Sequence, residues 1–194
     1  MSQSPENQSS EPPTRSPAER VAVFPRPLFD VVLHEPEIPN NTGNIGRTCV
    51  AAACGLRLIH PLGFDVTDKA CRRAGLDYWP RLGVAEHPDW PGYQAETPGA
   101  RRWLLTTRAE RSVYDADFRL GDHLVFGSET RGLPDAILAE TPETCLAMPM
   151  APGERSLNVA TAVCAVVYEG LRQLRQAGVV TWAGDQRLRP GPSH

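Results

Sequence analysis

Six short apolar runs, separated by stretches of helical or loop character, constrain this chain more than any other feature of it. They are LFDVVLH (Leu28 to His34), LRLIH (Leu56 to His60), LGVAEH, WLLTT, HLVFG and CLAMPM (Cys145 to Met150). Runs of this length read as strands, and strands that alternate with helices predict an α/β domain with a mostly parallel sheet. NTGNIGRTCVAAACG reads as a loop running into a helix that Gly55 closes, and SLNVATAVCAVVYEGLRQLRQAG as a long helix ending near Gly178. No internal repeat is present. In an open parallel sheet, ligands bind beyond the carboxyl ends of the strands. Residues 36–47, 127–134 and 149–158 fall there, and each is rich in Gly, Pro, Asn, Ser, Glu and Arg.

The ends differ from this middle. Residues 1–27 are mostly Ser, Pro, Glu and Arg and read as a disordered tail, residues 28–178 as the domain, and residues 179–194 as a second, shorter tail. No apolar stretch approaches the roughly 18 residues of a membrane helix, and the first residues hold no secretory h-region. A cytoplasmic protein is the expectation. The five cysteines, Cys49, Cys54, Cys71, Cys145 and Cys164, form no C-x-x-C pair, so neither a disulfide scaffold nor a zinc ribbon is expected. A net charge of −3 argues against nucleic-acid binding by bulk electrostatics alone. Of the 20 basic residues all but Lys69 are arginine, the better fork for phosphates.

Three segments carry the candidate chemistry. In the first, His34 to Arg47, Pro36 and Pro39 stiffen the approach to a helix that Asn or Thr can cap. A cap explains one of Asn40, Asn41 and Asn44 and leaves the other two and Arg47 without a role; an Arg at a helix N-terminus opposes the dipole and calls for an anionic partner. The run lacks the P-loop pattern, and Gly43 to Gly46 match the bare G-x-x-G of KH modules. In the second, Phe126 to Pro134, two glycines bracket Glu129 and Arg131, which reads as a salt bridge in a tight loop or as a site. In the third, Met148 to Asn158, Ser156 is the expected N-cap of the long helix, and Asn158, inside the first turn, needs a partner for its amide. On that helix Leu157, Ala160, Cys164, Val167, Leu171 and Leu174 share a face that Val159, Ala162, Val163 and Val166 widen. Such a helix either lies at the centre of the domain or packs against a second subunit.

LHEPEIPNNTGNIGRTC, RRAGLDYW, FGSETRGLP and MPMAPGERSLNVATAVCAVVYEGLRQ, in this order and spacing, resemble the SPOUT superfamily of RNA methyltransferases. The closest resemblance is to the small bacterial tRNA 2′-O-methyltransferases that act on the wobble nucleotide, cytidine or uridine 34. It runs from about Leu28 to Gln176. It implies an α/β knot, a mostly parallel sheet flanked by helices with a deep C-terminal trefoil knot. It also implies S-adenosyl-methionine as cofactor with no metal, a homodimer, and tRNA (its anticodon stem-loop) as partner. By motif position Leu105, Gly127, Met148 and Ser156 match the family's cofactor contacts. Asn41 and Arg47 match the first catalytic motif, Glu129, Arg131 and Asn158 the polar residues of later motifs, and Tyr168 a tyrosine linked to activity.

Methyl transfer to a ribose hydroxyl asks mainly for positioning and for stabilisation of a developing alkoxide. Arg47 suits a phosphate clamp; as a guanidinium it stays protonated, so Glu129 and Tyr168 are the alternatives for handling the proton. Arg72, Arg73, Arg101, Arg102, Arg108 and Arg111 are candidates to line an RNA path. The competing readings are 2′-O-methylation of an rRNA and a non-catalytic RNA-binding module.

Overall fold

A computed structural model of the chain describes residues 24–65 and 78–192. Six strands form one sheet in the order β3-β2-β1-β5-β4-β6, every neighbouring pair parallel. They are β1 (Phe29–His34), β2 (Gly55–Ile59), β3 (Val84–His87), β4 (Arg102–Leu105), β5 (Asp122–Phe126) and β6 (Cys145–Leu146). The helices are α1 (Pro39–Ala51), α2 (Trp90–Glu96), α3 (Asp135–Glu140) and α4 (Val159–Gln176). The strands fall on the six apolar runs, although CLAMPM yields only the two residues of β6 and WLLTT stops at Leu105.

Both sheet faces are covered, which is why the central strands are apolar on both sides. Phe29, Val31, Leu33, Leu56, Leu58, Leu124 and Phe126 form one core with Ile45 and Cys49 of α1 and with Val163, Val166, Val167, Leu171 and Leu174 of α4. Val32, Ile59, Leu104 and Val125 form the other with Trp90 and Tyr93 of α2 and Ile137 of α3. Gly170 lets α4 come down on β1, since a Cβ there would stand 2.7 Å from the Phe29 ring.

Several expectations are corrected at element boundaries. The segment NTG is not a loop: α1 begins at Pro39 and takes in Asn40 to Gly46, so Gly43 and Gly46 lie inside a helix. Gly46 serves packing, its Cβ position lying 2.9 Å from Leu82. Gly55 does not close α1 but starts β2, and Ala53 takes the left-handed turn at φ 55°. Ser156 does not cap the long helix; Asn158 does, accepting from Ala160 N at 2.9 Å and Thr161 N at 3.3 Å. The residues after Gly178, expected as a tail, fold back. Short strands β7 (Val180–Thr181) and β8 (Arg189–Pro190) pair antiparallel, Val180 is buried, and Gly191 N donates to Val179 O. At the other end Phe24, inside the expected tail, packs on the core. Among the described residues no helix is long and apolar enough to cross a membrane.

On the face covered by α2 the core is interrupted by a polar row. Asp30 and His123 are register partners on β1 and β5, with His123 Nε2 3.5 Å from Asp30 Oδ2. Arg57 Nε donates to Asp30 Oδ1 at 3.1 Å, and the Tyr93 hydroxyl lies 2.6 Å from His123 Nδ1. Burial, with Arg57 and Arg102 nearby, outweighs Asp30 and Asp122 and lowers the His123 pKa to about 4. Between that value and the ordinary 6.5 the unfolded chain binds a proton that the fold refuses. The contribution to stability is therefore full above 6.5 and is lost as pH falls through about 4. Thermal melts from pH 7 to pH 4 should show the wild-type midpoint falling more steeply than that of His123→Gln, which has no proton to gain.

Candidate functional site

The local sequence leaves the start of α1 uncapped. Its N-cap is Ile38, which has no side-chain oxygen to offer, and its first turn holds no acidic residue. The missing acceptor comes from the loop after β5. Glu129 Oε2 accepts from Glu37 N at 2.8 Å, and Glu129 Oε1 accepts from Ile38 N at 3.3 Å and from Asn41 Nδ2 at 2.9 Å. A half-buried carboxylate at a helix N-terminus satisfies orphan donors and meets the positive end of the dipole. Glu37 returns the contact: its carboxylate accepts from Thr130 Oγ1 at 2.8 Å and from Thr130 N at 3.2 Å. Arg131 does not pair with Glu129 but reaches Glu35 at 3.1 Å.

The third segment joins through Asn158. Its Nδ2 donates to Asn41 Oδ1 at 3.0 Å while its Oδ1 caps α4. The amide that needed a partner has one, and Asn41, in residues 36–47, is bonded side chain to side chain to both of the other segments, 127–134 and 149–158.

These segments, with the end of β4, enclose a cavity of about 550 Å³ at the carboxyl ends of β4, β5 and β6. Its apolar lining includes Leu105, Phe126, Leu133, Leu146 and Met148, and its polar lining Thr106, Ser128, Glu129 and Ser156. That volume and mixture suit a cofactor-sized ligand with one flat apolar part and a polar end. Leu105, Gly127, Met148, Ser156, Asn41, Glu129 and Asn158 all line it.

Arg47 and Tyr168 do not. Arg47 is the ninth residue of the 13-residue α1, too far along for the dipole argument made from the sequence. Its guanidinium sits 4.9 Å from the centre of the Tyr78 ring, outside the cavity lining. Tyr168 lies on the outer face of α4, 53% exposed. Of the arginines considered for an RNA path, Arg101 and Arg102 are spent internally, on Asp122 and on Thr97. Arg108 lines the cavity, Arg111 donates to Glu143 O and Asp115 O, and Arg72 and Arg73 lie outside the described residues, as does most of the RRAGLDYW motif.

Sequence reasoning missed Thr106 and Thr107, just after β4, because the strand was extended over them; the rule that ligands sit past strand ends would have found them. It also missed Glu37 and Thr130, whose pairing spans 93 residues and leaves no local signal. Gly127 belongs to the site for another reason than room for a ligand. A Cβ there would stand 2.0 Å from the carbonyl carbon of Gly132 and 2.2 Å from Leu133 N, so any side chain breaks the loop itself.

A parallel α/β domain with a cavity of this kind, bounded by three cross-linked polar segments, defines a protein that holds a small cofactor beyond its strand ends. The chain belongs to the SpoU rRNA Methylase family, whose model matches residues 29–168. It is similar to a tRNA (cytidine(34)-2'-O)-methyltransferase from Saccharophagus degradans, 46% identical over 152 residues that make up 78% of this chain and 99% of the relative. A solved structure concerned with 2-OH methylation of C/U34 on tRNA is 45% identical, with a TM-score of 0.71, and spans 76% of this chain and 97% of its own. The methyltransferase AviRb from Streptomyces viridochromogenes, crystallised with AdoMet, is 28% identical with a TM-score of 0.63 over 78% of this chain and 60% of its own.

All three partners of the Glu129 carboxylate are donors, so Glu129→Gln turns an amide N–H against one of them. Denaturant unfolding should show a loss of about 1–3 kcal/mol, and the cofactor affinity of the variant should fall with it, because the loop that carries Glu129 also lines the cavity.

Proposed function

We infer that this chain transfers a methyl group from S-adenosyl-methionine to the ribose 2′-hydroxyl of nucleotide 34, cytidine or uridine, in the anticodon stem-loop of tRNA. The observation that carries the reading is the cavity at the ends of β4, β5 and β6, where Asn41, Glu129 and Asn158 converge in a chain 46% identical to a tRNA (cytidine(34)-2'-O)-methyltransferase. The lining fits the cofactor, with Leu105, Leu133, Leu146 and Met148 for the purine and Ser156 with the loop backbone for the polar end. The bound cofactor supplies an electrophilic methyl group. Residues 28–178 are the catalytic unit in this reading, working in the cytoplasm, and their C-terminal part is threaded through a loop as an α/β knot.

The chain's own residues then divide the work. Asn41, Glu129 and Asn158 hold the loops; with its oxygens occupied by donors, Glu129 is a positioning residue and not the base. Arg47 clamps the phosphate beside the target ribose and offsets negative charge as the hydroxyl loses its proton. Tyr168 is the remaining candidate to take that proton. Neither faces the cavity of its own chain, so the reading requires a homodimer in which a second copy brings its α1 and α4 surfaces to the cavity. Leu157 and Tyr168, at 44% and 53% exposure, lie at the N-terminus and on the outer face of α4, where such a contact would form.

Mass mapping of tRNA from cells with and without the protein should show a 2′-O-methyl group at nucleotide 34 that depends on it; a methyl group that appears only in rRNA would favour the competing reading. Arg47→Ala should keep cofactor affinity within about twofold while slowing single-turnover methylation by roughly 100-fold or more. Arg47→Lys should recover part of the rate, as a point charge without the bidentate fork.

A further inference from the structure

Three guanidinium groups stand in the cavity lining, and they are not equally compensated. Arg108 Nη1 lies 2.5 Å from Asp135 Oδ1, and its Nη2 donates to Leu133 O at 3.3 Å. Arg131 is held by Glu35 at 3.1 Å and Glu37 at 3.8 Å. Arg155 is exposed to the cavity and, among the described residues, makes no hydrogen bond and no ion pair. The one carboxylate in the lining, Glu129, is already engaged by the start of α1.

The position of Arg155 is built. Glu154 N donates to Ala151 O at 3.1 Å, and Gly153 takes φ 94°, which together make the turn that delivers Arg155 three residues before the cap of α4. The N-terminal end of that helix adds positive potential on the same side. An uncompensated guanidinium in such a place lowers the free energy of an oxyanion and of little else, because its planar fork matches two oxygens of a carboxylate or a phosphate.

We propose that Arg155 is the anion-binding residue of this cavity, seating an oxyanion of one of the two reactants. That oxyanion is either a phosphodiester of the RNA strand or the carboxylate at the amino-acid end of the cofactor. The proposal rests on the methyl-transfer reading. Nothing in the fold depends on Arg155, so Arg155→Gln should melt with the wild-type protein and its effects are effects on binding.

The two sources separate by titration. Three ligands are used: S-adenosyl-methionine, 5′-methylthioadenosine (which keeps the nucleoside and lacks the amino-acid end), and bulk tRNA from cells lacking the protein. If the seat takes a phosphodiester, Arg155→Gln weakens tRNA binding about tenfold at low salt. The slope of log Kd against log salt then becomes shallower by about 0.7, and both small-molecule affinities stay unchanged. If it takes the carboxylate, affinity for S-adenosyl-methionine drops about tenfold, while methylthioadenosine and the tRNA salt slope do not move. In either case Arg155→Lys restores part of the loss. An Arg155→Gln protein that matches wild type for all three ligands overturns the assignment of Arg155 alone. Wild-type protein that bound neither S-adenosyl-methionine nor tRNA would overturn the methyl-transfer reading and this proposal with it.

Discussion

One carboxylate holds the working end of this molecule together. Glu129 lies on the loop after β5 and gives both oxygens to the start of a helix 88 to 92 residues earlier in the chain. Without it α1 would begin on Ile38 and Pro39 with no acceptor for its first donors and no negative charge at the positive end of its dipole. Asn41 carries the link on to Asn158, which caps α4. The two helices that pack on the same face of the sheet are thus tied directly at their N-termini by Asn158 and Asn41, and Glu129 anchors that pair to the loop after β5.

The same sheet separates stability from chemistry. The face under α2 carries the row of Asp30, Arg57, His123 and Tyr93 toward the amino ends of its strands, whereas the cavity opens at their carboxyl ends. None of these four side chains lines the cavity. At the cavity the residues that position loops and those that face a ligand are interleaved, and Glu129 does both.

The architecture was largely legible in the sequence because burial on both faces of a parallel sheet writes itself as short apolar runs. All six runs became strands, and the three polar segments placed at strand ends line one cavity. What the sequence did not show is what happens between distant segments. An Asn-rich helix start reads as self-capping, yet the cap is Glu129; Ser156 reads as an N-cap, yet Asn158 takes that place because its amide also reaches Asn41. Tyr168 was identified by motif position alone and Arg47 by motif position and a dipole argument that its place in α1 does not support, and periodicity had no means of saying that neither lines its own chain's cavity. The fold-back of Val180 to Pro190 was hidden by a composition that resembles a tail, since a two-residue strand pair leaves almost no pattern.

The hydrogen bonds from α4 to Glu129 all run in one direction. Ala160 N and Thr161 N, which can only donate, supply Asn158 Oδ1; Asn158 Nδ2 supplies Asn41 Oδ1; Asn41 Nδ2 supplies a carboxylate, which can only accept. With the sense fixed at both ends, neither amide can flip without setting two donors or two acceptors face to face. Replacing either amide nitrogen by oxygen changes almost nothing in size and removes one link, setting acceptor against acceptor. At position 41 such an exchange would set a new carboxylate against the one that holds the helix. The cavity wall therefore depends on the sense of its hydrogen bonds as much as on their number, and one atom exchanged for another of the same size is enough to open it.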